Sequence, residues 1–227
     1  MKIQKLNIAV ADTESATLFD SVYDVAYVIT DKKGNVILER NWLVEEIFTD
    51  PAKMAKAFYA KKYFTHYVPM LSRGEIQTKP WIEIIEQMNA DFKAHNVSIF
   101  AAYNAGFDVR VMRATHKQLG YSGDVFSADL KILDIWQFAC ETKLQQKSFA
   151  RIARRMGWVS DKGNIQTGAE IAHRYCSGDH FFIEDHTALS DARIEVEIMA
   201  ECFRMKKRVP YGIVNAHPWR LVNKKAA

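Results

Sequence analysis

The sequence predicts an α/β fold in which helices pack on the faces of a mixed sheet. Three observations predict it: the first strands form an antiparallel meander, the later strands alternate with helices, and the 227 residues contain no internal repeat or Pro/Ser/Gly-rich linker. A meander followed by alternating strands and helices is the order expected of such a sheet. We therefore expect one domain over residues 1–227.

The meander opens the chain with three strands. Leu6, Ile8 and Val10 alternate with polar or small residues, which is the period of a strand. Residues 21–30 alternate in the same way and are rich in β-branched and aromatic side chains. Residues 36–44 resume the strand pattern after the turn DKKGN.

Helices and two further strands alternate through the rest of the chain. Asp50 suits an N-cap and Pro51 the first helical position, which predicts a helix over residues 51–68. The other predicted elements are a helix over 81–95, a strand over 97–104, a helix over 107–120, a strand over 129–136, and helices over 148–158 and 188–207.

The composition is that of an ordinary globular protein, with 48% hydrophobic residues and a net charge of +4. No uninterrupted apolar run approaches the roughly 18 residues that span a bilayer, so we expect no membrane partner. Cys140, Cys176 and Cys202 match no metal-ligand spacing and predict free thiols in a reducing compartment. We therefore expect a soluble, cytoplasmic protein.

Three basic stretches contain no acidic side chain. They are residues 51–73, residues 142–158 and the chain after Glu201. This distribution is typical of a protein that meets a polyanion, although solvated helix faces produce the same pattern. It marks a basic, aromatic helical segment at about 49–79 and a basic C-terminal tail at about 208–227.

Two carboxylates end the first strand on one face. Asp12 and Glu14 are two residues apart, so a strand points both side chains the same way. Like charges held that close repel unless a cation lies between them. The pair therefore indicates a cation site, although a solvated strand end is the common alternative for so short a motif.

Two later stretches carry further acidic groups. Asp108 follows a strand-to-helix turn, and His186 precedes Asp191 by five residues where the last helix begins. Each of these residues alone also has a purely structural explanation. Asp108 and Asp191 would be carboxylates in a first helical turn, where they complement the helix dipole, and His186 would be a loop residue.

The three motifs occur in one order: Asp-x-Glu on a strand, Asn-x-x-Phe-Asp at a strand-to-helix turn, and His-x-x-x-x-Asp opening the last helix. This order resembles the DEDDh class of 3′-5′ exonucleases, which includes RNase T and the proofreading subunits of bacterial replicative polymerases. The resemblance runs from about residue 5 to about residue 200, and HTALSDA is an especially close match. It implies an RNase H-like fold, a central mixed five-stranded sheet flanked by helices.

The resemblance also implies a metal centre. Asp12, Glu14, Asp108 and Asp191 would hold two divalent cations, Mg²⁺ or Mn²⁺, which prefer oxygen ligands. His186 would accept the proton of the attacking water, since its pKa lies near neutrality.

The expected substrate-binding residues follow from the motifs and from two helix patterns. The family often has Thr-Thr-Gly after its acid pair, where this chain has Ser15-Ala16-Thr17, and often His before the asparagine, where this chain has Tyr103. The residues expected to contact substrate are Ser15, Ala16, Thr17, Leu18, Asn104, Phe107, Tyr59, Tyr63, Arg151 and Arg155.

Tyr59, Tyr63 and Tyr67 would share one stripe of a continuous helix. The stripe either packs on the sheet with its hydroxyls at the rim or forms a stacking platform for unpaired bases.

The resemblance predicts a metal-dependent 3′-5′ exonuclease that releases nucleoside 5′-monophosphates from single-stranded 3′ ends, with DNA slightly favoured over RNA. The alternatives are an exoribonuclease, a short-oligonucleotide nuclease and, more remotely, a non-catalytic nucleic-acid-binding or polymerase-accessory protein of the same fold. A polymerase or another protein partner and the oligomeric state are left open.

Overall fold

The structure is a computed structural model that describes residues 7–57 and 59–223. Leu6, predicted to open the first strand, lies outside the described residues, as do Phe58 and residues 224–227 of the predicted C-terminal tail.

A six-stranded mixed sheet forms the centre of the fold, in the order β4-β3-β2-β1-β5-β6. β1 pairs antiparallel with β2 and parallel with β5. The sheet therefore contains the antiparallel meander and the two later strands that the sequence predicts, together with a two-residue edge strand that it does not. The strands are β1 (Asn7–Ser15), β2 (Val22–Thr30), β3 (Val36–Val44), β4 (Thr78–Lys79), β5 (Val97–Ala102) and β6 (Lys131–Asp134).

Ten α-helices lie among the described residues, with one π-helical turn at Tyr63–Tyr67 and one 3₁₀ turn at Lys143–Gln145. The α-helices are α1 (Glu45–Phe48), α2 (Pro51–Met54), α3 (Val68–Ser72), α4 (Trp81–Ala94), α5 (Ala105–Gln118), α6 (Ile135–Glu141), α7 (Lys147–Arg155), α8 (Ala169–Ser177), α9 (Ala188–Arg204) and α10 (Trp219–Val222).

The alternation along β1 separates two buried cores. Ala9 and Ala11 face the core that contains α4 and α5. Ile8 and Val10 face the core that contains α6 to α9. Because successive strand side chains point to opposite faces, the Ile8 and Val10 side continues to Asp12 at the end of the strand.

The strand predicted over residues 129–136 is shorter than expected. Asp134 ends β6 and its side chain accepts a hydrogen bond from the Gln137 N–H, so it caps α6. An aspartate that satisfies the free N–H groups of a first turn favours a helix at this point. The predicted final helix also ends earlier, at Arg204.

The continuous helix predicted over residues 51–68 is wrong. α2 ends at Met54, turns follow, and helical structure resumes near Tyr63. Short helices are marginal in water, so tertiary contacts decide where they begin and end. Here Tyr63 and Tyr67 both pack on Phe48, whereas Tyr59 stacks on His186, so the predicted stripe does not pack as one surface.

No helix in the described part of the chain is both long enough and apolar enough to cross a membrane.

Candidate active site

β1 and the first turn of α9 bring three carboxylates together. Asp12 and Glu14 point from the end of β1, where a register irregularity follows Glu14. Asp191 lies in the first turn of α9, and its N–H donates to the Thr187 carbonyl. One carboxylate oxygen from each of the three side chains lies within 4.8 Å of the other two.

Asp108 lies beside this group in the first turn of α5 and is buried. Thr13, on the opposite face of β1 from Asp12, donates from its hydroxyl to the Asp108 carboxylate over 2.9 Å. The charge of Asp108 contributes to raising the pKa of Asp12. The structure thus brings all four predicted carboxylates to one end of β1.

His186 lies next to the carboxylates, on the loop before α9. Its Nδ1 is 3.9 Å from Asp191 Oδ2 and 3.6 Å from Glu184 Oε2. The pKa of His186 is lowered, mainly by burial and also by the charge of Lys62. The ring of Tyr59 stacks on the imidazole with 4.8 Å between ring centroids.

The pKa values of the carboxyl groups are raised, and burial is the largest cause in each case. The pKa of Glu14 rises to about 9, that of Asp191 to about 8 and that of Asp108 to about 7. The pKa of Asp12 lies well above its ordinary value, because burial is reinforced by the neighbouring acids. Ionised together, these groups repel one another, and the charge of Lys62 offsets only part of the rise in pKa at Glu14 and Asp191.

The donor set fits a hard divalent cation. Asp191 Oδ1 is buried and makes no hydrogen bond, and it belongs to the side chain that converges with Asp12 and Glu14. Carboxylate oxygens at this spacing suit Mg²⁺ or Mn²⁺, which favour all-oxygen coordination.

A fifth carboxyl, which the motifs do not include, is that of the buried Glu195. It lies one turn after Asp191 on α9, is 2% exposed and accepts the Tyr103 N–H. Its charge is the largest single contribution from a neighbouring acid to the raised pKa of Asp12. The i, i+4 spacing of Asp191 and Glu195 places both on one helix face, a signal that was present in the sequence.

A cavity of about 520 Å³ adjoins the acid pair. Glu14 forms part of its wall, and Leu18 on its rim is 69% exposed. Six of the residues expected to contact substrate line it together: Ser15, Ala16, Thr17, Leu18, Tyr59 and Phe107.

The other expected substrate contacts lie outside the lining of this cavity. Tyr63 packs on Phe48, with ring centroids 4.9 Å apart. Asn104 precedes α5 with a φ of 71°, in the left-handed region. Arg151 and Arg155 lie on the exposed face of α7, opposite the buried Phe149.

No protein-family model matches the sequence, and no curated protein matches it. Solved structures do match. A crystal structure of E. coli exonuclease I in complex with a dA16 oligonucleotide has a TM-score of 0.58 at 15% identity and covers 89% of this chain. The chain therefore shares the fold of the matched part of exonuclease I. A zinc-bound E. coli exonuclease I–ssDNA complex matches with a TM-score of 0.53 at 14% identity, over 90% of this chain.

The fold that this chain shares with the matched part of exonuclease I agrees with the central mixed sheet flanked by helices that the sequence predicts. The chain spans about two fifths of the length of these exonuclease I chains, 42% in the dA16 complex and 41% in the zinc-bound complex.

Proposed function

We propose that this chain is a metal-dependent 3′-5′ exonuclease that releases nucleoside 5′-monophosphates from single-stranded nucleic acid, with DNA favoured over RNA. The observation that carries the proposal is the convergence of Asp12, Glu14 and Asp191 beside His186 and next to a cavity that Glu14 also lines.

The carboxylates would hold the cofactor. Asp12, Glu14, Asp108 and Asp191 would bind two divalent cations, which stabilise negative charge on the phosphate and make water a stronger acid. His186 accepts the proton of the attacking water, since burial and the charge of Lys62 lower its pKa and so favour the neutral imidazole that a base requires. Glu184, 3.6 Å from Nδ1, stabilises the imidazolium that results.

The cavity receives the terminal nucleotide. The rings of Phe107 and Tyr59 offer faces on which a base stacks, and Lys56 adds a positive charge to the same wall. A base enters such a cavity only when it is unpaired, so single strands are the preferred substrate. DNA is favoured because exonuclease I, which has the same fold, is bound to a dA16 oligonucleotide in one of its structures.

The test is nucleotide release from single-stranded DNA and RNA of one sequence, in Mg²⁺ and in EDTA. We expect mononucleotides in Mg²⁺, faster from DNA, and none in EDTA. Asp12→Asn is the matched control, because it removes one charged ligand at nearly constant volume. Release that persists in EDTA or in Asp12→Asn, internal fragments in place of mononucleotides, or no release from either strand would contradict the proposal.

A further inference from the structure

The segment 59–67, here called the clamp segment, contacts the loop that carries His186. The ring of Tyr59 stacks on the imidazole at an interplanar angle of 16°. Lys62 Nζ donates to the backbone carbonyl of His186 over 2.8 Å. His66 Nε2 lies 3.9 Å from Asp185 Oδ2. Three side chains of the clamp segment thus meet two adjacent loop residues.

α8 holds the loop before His186 at two points, since Arg174 donates to the Phe182 carbonyl over 2.6 Å and Glu170 accepts the Glu184 N–H over 2.8 Å. These bonds lie four and two residues before His186. Residues 182–187 have no regular secondary structure, and Phe181 and Ile183 are 81% and 77% exposed. His186 has a φ of 52°, a left-handed conformation that is unfavourable for a residue with a Cβ and that persists only where surrounding contacts impose it. The contacts that impose it on this peptide include the Lys62 hydrogen bond and the Tyr59 stack.

A buried carboxylate anchors the clamp segment to the start of α9. Asp24 is fully buried, and its Oδ2 accepts both the Tyr67 hydroxyl, over 2.8 Å, and the Ala188 N–H, over 3.1 Å. One carboxylate oxygen therefore ties the end of the clamp segment to the first residue of the helix that carries Asp191.

We infer that the clamp segment positions His186 for catalysis, with Lys62 as the positioning residue that holds its backbone carbonyl. The inference rests on the role of His186 given under the proposed function. Displacement of a reacting group by about 1 Å is enough to lower a rate by about 10²-fold, so one hydrogen bond to the loop backbone has a measurable effect. A lysine that instead contacts a substrate phosphate would act on strand binding.

The first measurement is hydrogen–deuterium exchange of the loop amides in the metal-free protein without a strand. Lys62→Met removes the donor, and we expect faster exchange in residues 184–188. Lys62→Arg keeps a donor and should restore slow exchange. Lys61→Met removes the same charge from the neighbouring exposed position and should leave loop exchange unchanged. Unchanged exchange in Lys62→Met, or equal acceleration in Lys61→Met, would overturn the inference.

The second measurement separates positioning from substrate binding. In single-turnover digestion of single-stranded DNA, Lys62→Met should lower the cleavage rate at saturating enzyme by at least about tenfold, with a smaller change in the half-saturating enzyme concentration. Lys62→Arg should recover most of the lost cleavage rate. A raised half-saturating enzyme concentration with an unchanged maximal rate would show that Lys62 contacts the strand and would overturn the inference. The exchange measurement needs neither metal nor strand, so it tests the clamp segment separately from the nuclease proposal.

Discussion

At the scale of single residues, the burial of neighbouring carboxyl groups dominates the chemistry of the site, and their mutual repulsion adds to it. Asp12, Glu14 and Asp191 are brought together by β1 and α9, and each has a raised pKa because burial and neighbouring acids disfavour the charged form. The folded protein therefore binds protons more tightly than the unfolded chain at these positions. A bound cation offsets the same repulsion, which couples pH, metal and stability.

The stability of the metal-free protein should fall with rising pH. Unfolded carboxyls titrate near pH 4, whereas folded Glu14 titrates at about 9 and Asp191 at about 8, so the folded state holds more protons between these limits. The contribution of Glu14 and Asp191 to the free energy of unfolding is therefore smaller at pH 9 than at pH 6. We expect a Tm several degrees lower at pH 9 than at pH 6, at about 2–4 °C per kcal/mol.

Added Mg²⁺ and a matched variant test whether these carboxyl groups cause the fall of Tm with pH. Mg²⁺ should raise the Tm more at pH 8 than at pH 5, where the ligands are protonated. Glu14→Gln should show a shallower fall of Tm with pH than the wild type, measured by scanning calorimetry in EDTA. A wild type and variant with identical pH profiles would contradict the assigned repulsion.

Replacement of His186 should separate catalysis from binding. His186→Ala removes the proposed general base, a group that contributes on the order of 10² to 10⁴ in rate, while strand affinity should change little. The readouts are single-turnover cleavage and equilibrium binding of a labelled strand. His180→Ala is the control, because it removes an imidazole that packs on Trp158 in the same connection between α8 and α9. A loss of binding with an unchanged rate for the bound strand would make His186 a substrate contact.

The secondary-structure elements show which parts of the structure the sequence could predict. α7 follows from its period of about 3.6 residues, since it has one buried and one exposed face. β1 follows from the alternation of larger apolar side chains with small or polar ones, although both of its faces are buried. The break after Met54 could not be predicted, because Tyr59 and Tyr67 are drawn to His186 and Asp24, residues distant in the chain.

The candidate site also has one part that the sequence predicts and one part that it does not. The motif residues around Asp12 and Asp191 are local in sequence, and the ends of strands and helices bring them together. The hydrogen bond of Lys62 to His186 joins residues 124 positions apart, and nothing in the local pattern of either segment indicates it.

The exposed face of α7 provides a prediction about binding. Arg151 and Arg155 lie one turn apart on this face, within an acid-free stretch. If the face meets a single strand, the double change to Gln should flatten the slope of log affinity against log salt. The expected change is about 0.7 for each phosphate that the variant no longer neutralises.

The control for α7 is the double change of Lys33 and Lys93 to Gln. These exposed lysines lie in the β2–β3 turn and in the last turn of α4, and their replacement removes the same total charge. Slopes that agree between the two double variants would make the α7 face a solvated surface that does not contact nucleic acid.

At the scale of the whole molecule, the fold brings the residues of the candidate site together at one end of β1. The acid pair ends β1, Asp108 begins α5 just after β5, and Asp191 begins α9, so three separate parts of the chain meet at one place. The cavity beside them opens where the loop from Ser15 to Leu18 leaves the sheet. Under the proposed function, a terminal nucleotide in the cavity would lie beside the acid pair.

The most direct measurement compares three 5′-labelled DNA substrates of one sequence in Mg²⁺: a single strand, a blunt duplex and a single strand with a 3′ phosphate. We predict a ladder that shortens from the 3′ end, faster for the single strand than for the duplex, because each unpaired step costs a few kcal/mol. The 3′ phosphate should block digestion, since its added charge would face Glu14. Equal rates on all three substrates, or shortening from the 5′ end, would contradict the account.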